Sequence, residues 1–229
     1  MRNVFKSARN IASRQRRRAE TLYVTGISAL RNESTGGGII IIGCGRSGTT
    51  YTARLFSSIG YAVGHERLHR HGIASWYLAS DQSKVPVGPS MGELRNLSFP
   101  IVHQVRHPLQ TISSATVIGS TSRAFLESES SIYKTQDPLL LAMRYWYWWN
   151  LQSGKRAVFT YKVEDLETNM PKLLRLANMR NKDSDVPEIS KRLNAGAHPA
   201  ISWQDCENKD PVLTARIKEL SFAYGYFDL

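Results

Sequence analysis

The stretch IIIIGCGRSGTT, residues 39–50, decides the fold. Its first four residues are apolar and β-branched, the pattern of a strand that is buried on both faces of a parallel sheet. A glycine-rich loop follows over residues 43–50, and apolar residues then recur with helical spacing over residues 51–59. A strand, a glycine-rich loop and a helix in this order predict a phosphate-binding loop at the carboxyl end of the strand.

Further strand and helix patterns follow along the chain. Strands are predicted at residues 61–63, 101–105 and 157–160. Helices are predicted from Pro108 onward, over residues 137–151, from Glu164 to about Met179, and over residues 211–224. Strands that alternate with helices predict an α/β fold of the three-layer P-loop type. In such a fold helices flank a central parallel sheet, and ligands bind beyond the carboxyl ends of its strands.

The length and charge of the chain fit one domain with a basic extension. The 229 residues are 41% hydrophobic and 21% charged, as in ordinary soluble globular proteins. Residues 1–35 carry eight of the 30 Lys and Arg residues and two of the 19 Asp and Glu residues, a net charge of +6 out of +11. We therefore predict a basic, helical extension over residues 1–35 and a single domain over residues 36–229. Because the domain carries only +5, its charge favours a local anion pocket over a nucleic-acid surface.

The basic cluster at residues 14–18 has several interpretations. It fits a solvated helix face or a contact with an acceptor, nucleic acid or anionic lipid, and its composition also resembles that of organelle transit peptides. No run reaches the roughly 18 to 20 apolar residues that a membrane span needs. The two cysteines, Cys44 and Cys206, are far apart, which fits neither a disulfide framework nor a metal site. These features predict a protein without a transmembrane segment in a reducing, cytoplasmic location.

The loop differs from that of a nucleotide hydrolase at one position. Such enzymes place Lys after the last glycine, followed by Ser or Thr for a magnesium ion, whereas this chain has Thr49 and Thr50. Without an ammonium group near the β- and γ-phosphates, NTP hydrolysis lacks a principal electrostatic contribution. Arg46 supplies a cation inside the loop instead. A P-loop kinase or NTPase is therefore an alternative that the sequence disfavours.

The loop resembles the 5'-phosphosulfate loop of sulfotransferases that use 3'-phosphoadenosine 5'-phosphosulfate (PAPS), which has the form G-x-[PG]-[RK]-S-G-T-T. The matching residues are Gly43, Gly45, Arg46, Ser47, Gly48, Thr49 and Thr50, with Gly45 where proline is common. The resemblance implies that the loop amides, together with the last four of these residues, hold the 5'-phosphate. It also implies that Arg46 neutralises charge on the oxygen that bridges phosphorus and sulfur.

A second motif lies about 60 residues further on. Arg106-His107-Pro108, with Ser114 eight residues after the arginine, resembles the 3'-phosphate signature of the same family. A guanidinium group at a strand end is suited to bind phosphate bidentately, and Ser114 is expected about two turns along the next helix. The order and spacing of the two motifs strengthen the resemblance.

The resemblance weakens towards the C-terminus. Residues 161–166, YKVEDL, look like the Y-x-x-E-D-L segment of the family, which implies core residues at both ends and acidic residues at the start of a helix. The C-terminal loop with an R-K-G element, which binds the 3'-phosphate in cytosolic members, has no counterpart in this sequence. Lys191 and Arg192 are candidate substitutes for it.

The candidates for the general base follow the predicted second strand. Residues 64–67, GHER, stand where Golgi-type and tyrosine-protein members of the family have a catalytic glutamate, and Glu66 aligns with it. His65 is the alternative because imidazole titrates near neutral pH, and His69 and His71 rank after it. A purely structural role of this segment stays open as well.

Histidine and aromatic residues elsewhere have both structural and functional interpretations. Because His103 lies inside its strand, we predict that it is a hydrogen-bonded core histidine rather than a base. The aromatic block at residues 145–149 predicts core packing, with stacking on adenine or a sugar ring as the alternative. Other candidates for the border of an acceptor site are Trp76, Asn194, His198, Ser202 and Trp203.

The resemblance implies in-line transfer of a sulfuryl group from PAPS to a hydroxyl or amine acceptor, with adenosine 3',5'-bisphosphate (PAP) as product and without a metal ion. Acceptor loops are expected at residues 67–98, 119–136 and 181–205. Their composition does not separate saccharide from protein, lipid or small phenol acceptors, and a saccharide is the favoured class. An inactive nucleotide- or polyanion-binding module that uses the basic extension is the alternative outside the enzymes. The sequence predicts no oligomeric state.

Overall fold

The computed structural model describes residues 37–180 and 198–227. The predicted basic extension, Lys191, Arg192 and Asn194 lie outside the described residues. The division of the chain into an extension and a domain therefore stays a prediction.

Five parallel strands form the sheet of the described chain, in the order β2-β3-β1-β4-β5. The strands are β1 (Ile39–Gly43), β2 (Gly64–His65), β3 (Gly72–Ala74), β4 (Ile101–Val105) and β5 (Phe159–Lys162). Strand β1 is central because β3 and β4 pair with it on either side, and all of its residues are buried. The predicted α/β fold with a central parallel sheet is confirmed.

Helices fill most of the chain between and after the strands. The α-helices are α1 (Thr49–Ser58), α2 (Met91–Leu94), α3 (Pro108–Ala115), α4 (Ser120–Glu129), α5 (Pro138–Arg156), α6 (Leu166–Leu176), α7 (Trp203–Lys209) and α8 (Pro211–Ala223). Short 3-10 turns occur at Trp76–Ala79, Ser131–Tyr133 and Val163–Asp165. None of the helices in the described part of the chain is both long and apolar enough to cross a membrane.

Local sequence signals explain where several helices begin. Helices α3, α5 and α8 each start with a proline, which needs no hydrogen-bond acceptor at this position. Asp137 precedes α5 and accepts a hydrogen bond from Leu140 N, while Asp210 precedes α8 and accepts one from Leu213 N. Each carboxylate satisfies an N–H group that the helix itself leaves unpaired, so these starts are fixed locally.

Successive residues of β1 point to opposite faces of the sheet and so create the three layers. Ile39 and Ile41 pack with apolar residues of α1 and α6 on one face. Ile40 and Ile42 pack with Ile73 on the other face, where α5 contacts β1 and β4. This alternation is the reason that an unbroken isoleucine run is stable in the centre of the sheet.

The shortest strands differ from the sequence-based expectation. Tyr61 and Val63 are buried, but Tyr61 N donates to Phe56 O of α1 and Val63 N donates to Tyr61 O, so β2 begins only at Gly64. Strand β3 was not predicted. Strand β5 begins two residues later than expected because Ala157 still bonds to the end of α5 and Val158 is 68% exposed.

Helices occur in two of the expected acceptor loops. Helix α7 begins within the expected loop at residues 181–205, at a capping box in which Ser202 and Asp205 each bond to the other's backbone N–H. Helix α4 lies within the expected acceptor loop at residues 119–136. The helix predicted from Glu164 begins instead as the 3-10 turn Val163–Asp165 and continues as α6 to Leu176.

Candidate functional site

The glycine-rich loop joins the central strand β1 to α1, as predicted. Arg46 and Gly48 have left-handed backbones, with φ of 72° and 93°, which turn the chain sharply between the strand and the helix. Gly48 precedes α1, and no side chain caps that helix start. The unpaired N–H groups at the start of α1 and the helix dipole make this end favourable for an anion.

A buried glutamine fixes the loop to the sheet. Gln104 on β4 is fully buried, and its Nε2 donates to Ser47 O at 2.7 Å. Its Oε1 accepts from Tyr161 Oη at 2.7 Å and also from the Thr52 hydroxyl. The Gln104 side chain therefore connects the loop, α1 and β5. Its hydrogen bond to Ser47 O stabilises the loop conformation from the side of the sheet.

The two predicted phosphate motifs meet in space. Arg46 Nε donates to Ser114 Oγ at 2.8 Å, and Arg106 Nη1 donates to Arg46 O at 3.2 Å. Arg106 also donates from Nε and Nη2 to Gln110 Oε1, at 3.2 and 3.0 Å. Because β1 and β4 are neighbours and parallel, the loop and the start of α3 lie at the same edge of the sheet.

The two leading candidates for the base lie side by side at the end of β2, where His65 is the last residue of the strand and Glu66 follows it. His65 Nε2 lies 3.2 Å from Thr49 Oγ1, 3.1 Å from Thr50 Oγ1 and 3.9 Å from Glu66 Oε1. Burial lowers the pKa of His65; the Glu66 charge raises it and the Arg54 charge lowers it. Nε2 is thus within hydrogen-bond distance of both threonine hydroxyls, as donor or acceptor according to its tautomer.

Glu66 has an unusual backbone for a residue with a side chain. Its φ is 57°, its N–H donates to Ala74 O at 3.0 Å, and its side chain is 24% exposed. Left-handed backbones cost energy in residues other than glycine and concentrate at functional sites. In the described residues three non-glycine residues have positive φ, and two of them, Arg46 and Glu66, were predicted as catalytic.

These residues line one cavity of about 280 Å³. Its lining residues are Gly45, Arg46, Gly48, Thr49, Thr50, Tyr51, His65, Glu66, Trp76, Arg106, Ser114, Val117, Ile118, Gly119, Ser122 and Tyr145. Of the residues predicted to bind the donor or to act in catalysis, Ser47 does not line the cavity. It is 1% exposed, and its Oγ has no hydrogen-bond partner in the described residues. The cavity therefore brings residues from three separate stretches of sequence to one edge of the sheet.

Two walls of the cavity lie in segments that the sequence offered as acceptor candidates. Trp76, one of the named candidates, follows the unpredicted strand β3, and Ser122 lies in the first turn of α4, within the expected acceptor loop at residues 119–136. Tyr77, next to Trp76, has a raised pKa because of burial and the nearby Glu66 charge, while a hydrogen bond with Ser122 lowers it. Only the fold brings Trp76 to the cavity that Glu66 also lines.

The remaining candidates do not line this cavity. His71 Nδ1 accepts from Ala62 N at 3.0 Å, and His198 contacts the Ser113 hydroxyl. Trp203 packs under Lys218, whose Nζ lies 5.2 Å from the ring centroid. Neither His69 nor Ser202 is among the lining residues.

His103 is a core histidine, as the sequence predicted. It is fully buried in β4, with Nε2 3.0 Å from Asn150 Oδ1 and Nδ1 3.3 Å from Thr160 Oγ1. Asn150 Nδ2 donates to Trp146 O, so its Oδ1 is free to accept from His103. Burial lowers the pKa of His103 to about 4, against a raising effect of the bond to Asn150.

The acidic segment after β5 supports the end of β4. Glu164 Oε1 accepts from His107 N at 2.9 Å, and its Oε2 accepts from Tyr226 Oη at 2.9 Å. Tyr161 and Leu166 are buried, as the core role predicted for them requires. Through Glu164, Tyr226 thus supports the stretch that carries Arg106.

Within residues 37–180 and 198–227 no group of three or more His, Cys, Asp or Glu side chains is arranged to hold a metal ion. Cys44 and Cys206 are both buried free thiols.

Comparison with known proteins gives a distant structural likeness. No protein-family model matches the chain, and no curated protein matches it. Among solved structures, it resembles the mouse sulfotransferase SULT7A1 complexed with PAP, with 13% identity over 79% of this chain and 70% of that chain. The TM-score is 0.40, and at this similarity we draw no functional conclusion from it.

Proposed function

We propose that this protein is a sulfotransferase that transfers a sulfuryl group from PAPS to a hydroxyl or amine acceptor. One observation carries the proposal: Arg46, Arg106 and Glu66 face the same cavity of about 280 Å³ although they follow three different strands. Two guanidinium groups suit a donor with phosphate at both ends, and a single carboxylate suits a base.

The cavity has the features that such a donor requires. The uncapped start of α1 offers N–H groups, and Gly48 adopts a backbone in which a side chain would be strained. These groups, with Thr49 and Thr50, would hold the 5'-phosphate, and Arg106 with Ser114 would hold the 3'-phosphate. Ser114 Oγ accepts from Arg46 Nε, which leaves its own hydrogen free to donate to a phosphate oxygen.

Each catalytic role follows from the chemistry of a side chain. PAPS, when bound, supplies an activated sulfuryl group with a phosphate as the leaving group. Arg46, fixed through Nε by Ser114, has further N–H groups that offset the charge developing on that phosphate. Glu66 takes the acceptor proton as the bond from the acceptor oxygen to sulfur forms and the bond from sulfur to the phosphate oxygen breaks.

The acceptor would enter beside Glu66. Besides the residues already assigned to the donor, Trp76, Ser122 and residues 117–119 line the cavity and are available to contact the acceptor. An aromatic ring and a hydroxyl are compatible with a saccharide, which stays the favoured acceptor class. Release of PAP and a cytoplasmic location belong to the same proposal.

Transfer of label from radiolabelled PAPS tests the proposal. The purified protein is incubated in EDTA with separate pools of saccharide, phenol and peptide acceptors, and PAP release is followed in parallel. Label that moves to one pool without magnesium supports the proposed activity. Magnesium-dependent ATP turnover without transfer from PAPS supports a P-loop kinase or NTPase instead. Nucleotide binding without turnover, unchanged in Glu66→Ala, supports an inactive binding module.

A further inference from the structure

A buried tyrosine on α5 contacts the phosphate loop directly. Gly45 N donates to Tyr145 Oη at 2.7 Å, across a separation of 100 residues. Tyr145 is 2% exposed, yet it belongs to the cavity wall next to Gly45 and Arg46. The aromatic block was predicted to pack in the core, and this member of the block also reaches the site.

The fit between the two residues is close. A Cβ atom at position 45 would lie 2.3 Å from Tyr145 Oη, so only glycine leaves room for the hydroxyl. The phenol ring cannot move away easily, because Trp76 and Trp149 pack edge-to-face against it at centroid distances of 5.5 and 5.4 Å. The packing of the ring therefore fixes the position of the hydroxyl that accepts the Gly45 N–H.

The chemistry of the hydroxyl suits a permanent contact. Burial is the main reason that the pKa of Tyr145 is raised well above its usual value, and the neighbouring Cys44 raises it further. The neutral phenol keeps its hydrogen and offers an oxygen to the Gly45 N–H, which would otherwise be a buried donor without a partner. The following residue is Arg46, whose left-handed backbone and bond to Ser114 set the direction of the guanidinium group.

We propose that Tyr145 is a positioning residue of the phosphate loop: by accepting the Gly45 N–H, it fixes the turn that aims Arg46 and the following amides into the cavity. Its effect on the loop is independent of the ligand, whereas its effect on donor binding rests on the function proposed above. Tyr145 acts through Gly45 and Arg46 and takes no part in the bond changes itself.

Tyr145→Phe tests the proposal, with Tyr133→Phe as the matched control. Tyr133 is also buried, at 1% exposure, and also packs against Trp149, but its Oη has no hydrogen-bond partner among the described residues. Each variant removes one buried hydroxyl and keeps the ring. The two readouts are the exchange rate of the Gly45 amide hydrogen by NMR and the Kd for PAP by calorimetry, with Tm measured to check the fold.

We expect Gly45 exchange to rise about tenfold in Tyr145→Phe and the Kd for PAP to weaken by a similar factor, as for loss of one hydrogen bond. Tyr133→Phe should match the wild type in both. Unchanged Gly45 exchange in Tyr145→Phe overturns the proposal, as does an equal change in the control. If Gly45 exchange is faster in Tyr145→Phe but the wild type does not bind PAP, the positioning role of Tyr145 stands. The function proposed above is then overturned.

A double-mutant cycle adds a steric test. Gly45→Ala should lower Tm strongly in the wild type, because the new methyl group meets Tyr145 Oη. In Tyr145→Phe the nearest ring atom is Cζ, 3.3 Å from the new Cβ, so the same change should lower Tm less. Equal losses in the two backgrounds would show that the hydroxyl does not define the space around the loop.

Discussion

Arg46 Nε donates to Ser114 Oγ over 2.8 Å, and this bond ties the loop after β1 to the helix after β4. The serine orients the arginine and keeps one hydrogen to donate to a ligand. The two phosphate motifs thus form one unit rather than two independent binding elements. Changes on either side should therefore affect the whole donor site.

Ser114→Ala should weaken PAP binding about tenfold, because it removes the acceptor that orients Arg46 and a donor to the 3'-phosphate. Ser57→Ala on α1 is the control, since within the described part of the chain the Ser57 hydroxyl bonds only to Ala53 O of its own helix. Calorimetry measures both variants. Equal affinity in the two variants would mean that Ser114 has no part in the donor site.

Glu66→Gln should lower the rate of sulfuryl transfer at least about a hundredfold, since the amide keeps the shape of the side chain but cannot accept the acceptor's proton. PAP affinity should stay within about twofold of the wild type, because the carboxylate faces the acceptor. His65→Asn is the companion variant, and its rate should fall much less. The opposite ranking, with Glu66→Gln active and His65→Asn inactive, would assign the base to His65.

The buried His103 should make stability depend on pH. Its pKa is about 4 in the folded protein and 6.5 in a model peptide, so the unfolded chain binds a proton first as pH falls. The contribution is complete above pH 6.5 and is lost as pH falls towards about 4, with a slope of up to about 1.4 kcal/mol per pH unit.

Urea unfolding of wild type and His103→Gln at pH 7 and pH 5 measures this contribution. Other titrating groups are common to both proteins, so the difference between the two pH dependences isolates His103. We expect the variant to lose less free energy of unfolding than the wild type between these pH values. Parallel losses would show that His103 is protonated or exposed in the folded state.

Strong local patterns made the centre of the fold predictable. The isoleucine run predicted β1 and the loop, and Ile101 to Val105 followed by Arg106-His107-Pro108 predicted β4 and the start of α3 at their observed bounds. Because the carboxyl ends of parallel strands lie at one edge of the sheet, both phosphate motifs were expected at that edge, and the pairing of β1 with β4 brings them together.

The edge of the sheet was not predictable in the same way. Strands β2 and β3 have two and three residues, too few for a periodic signal. Strand β3 can pair closely with β1 because residue 72 is a glycine, with φ of 127°. A Cβ atom at this position would lie only 1.8 Å from Ile39 O. The contact between Tyr145 and Gly45 was hidden for another reason, since a tyrosine within an aromatic block carries no sign of which hydroxyl will find a partner.

Calorimetric titration with PAP in EDTA, compared with adenosine 5'-monophosphate and ATP-magnesium, tests the central claim most directly. We predict that PAP binds without metal and more tightly than the monophosphate, and that Arg106→Ala abolishes this preference. Arg95→Ala, which removes an exposed arginine outside the cavity lining, should leave it intact. Binding of ATP-magnesium alone, or PAP binding that is unchanged in Arg106→Ala, would contradict the proposed donor site.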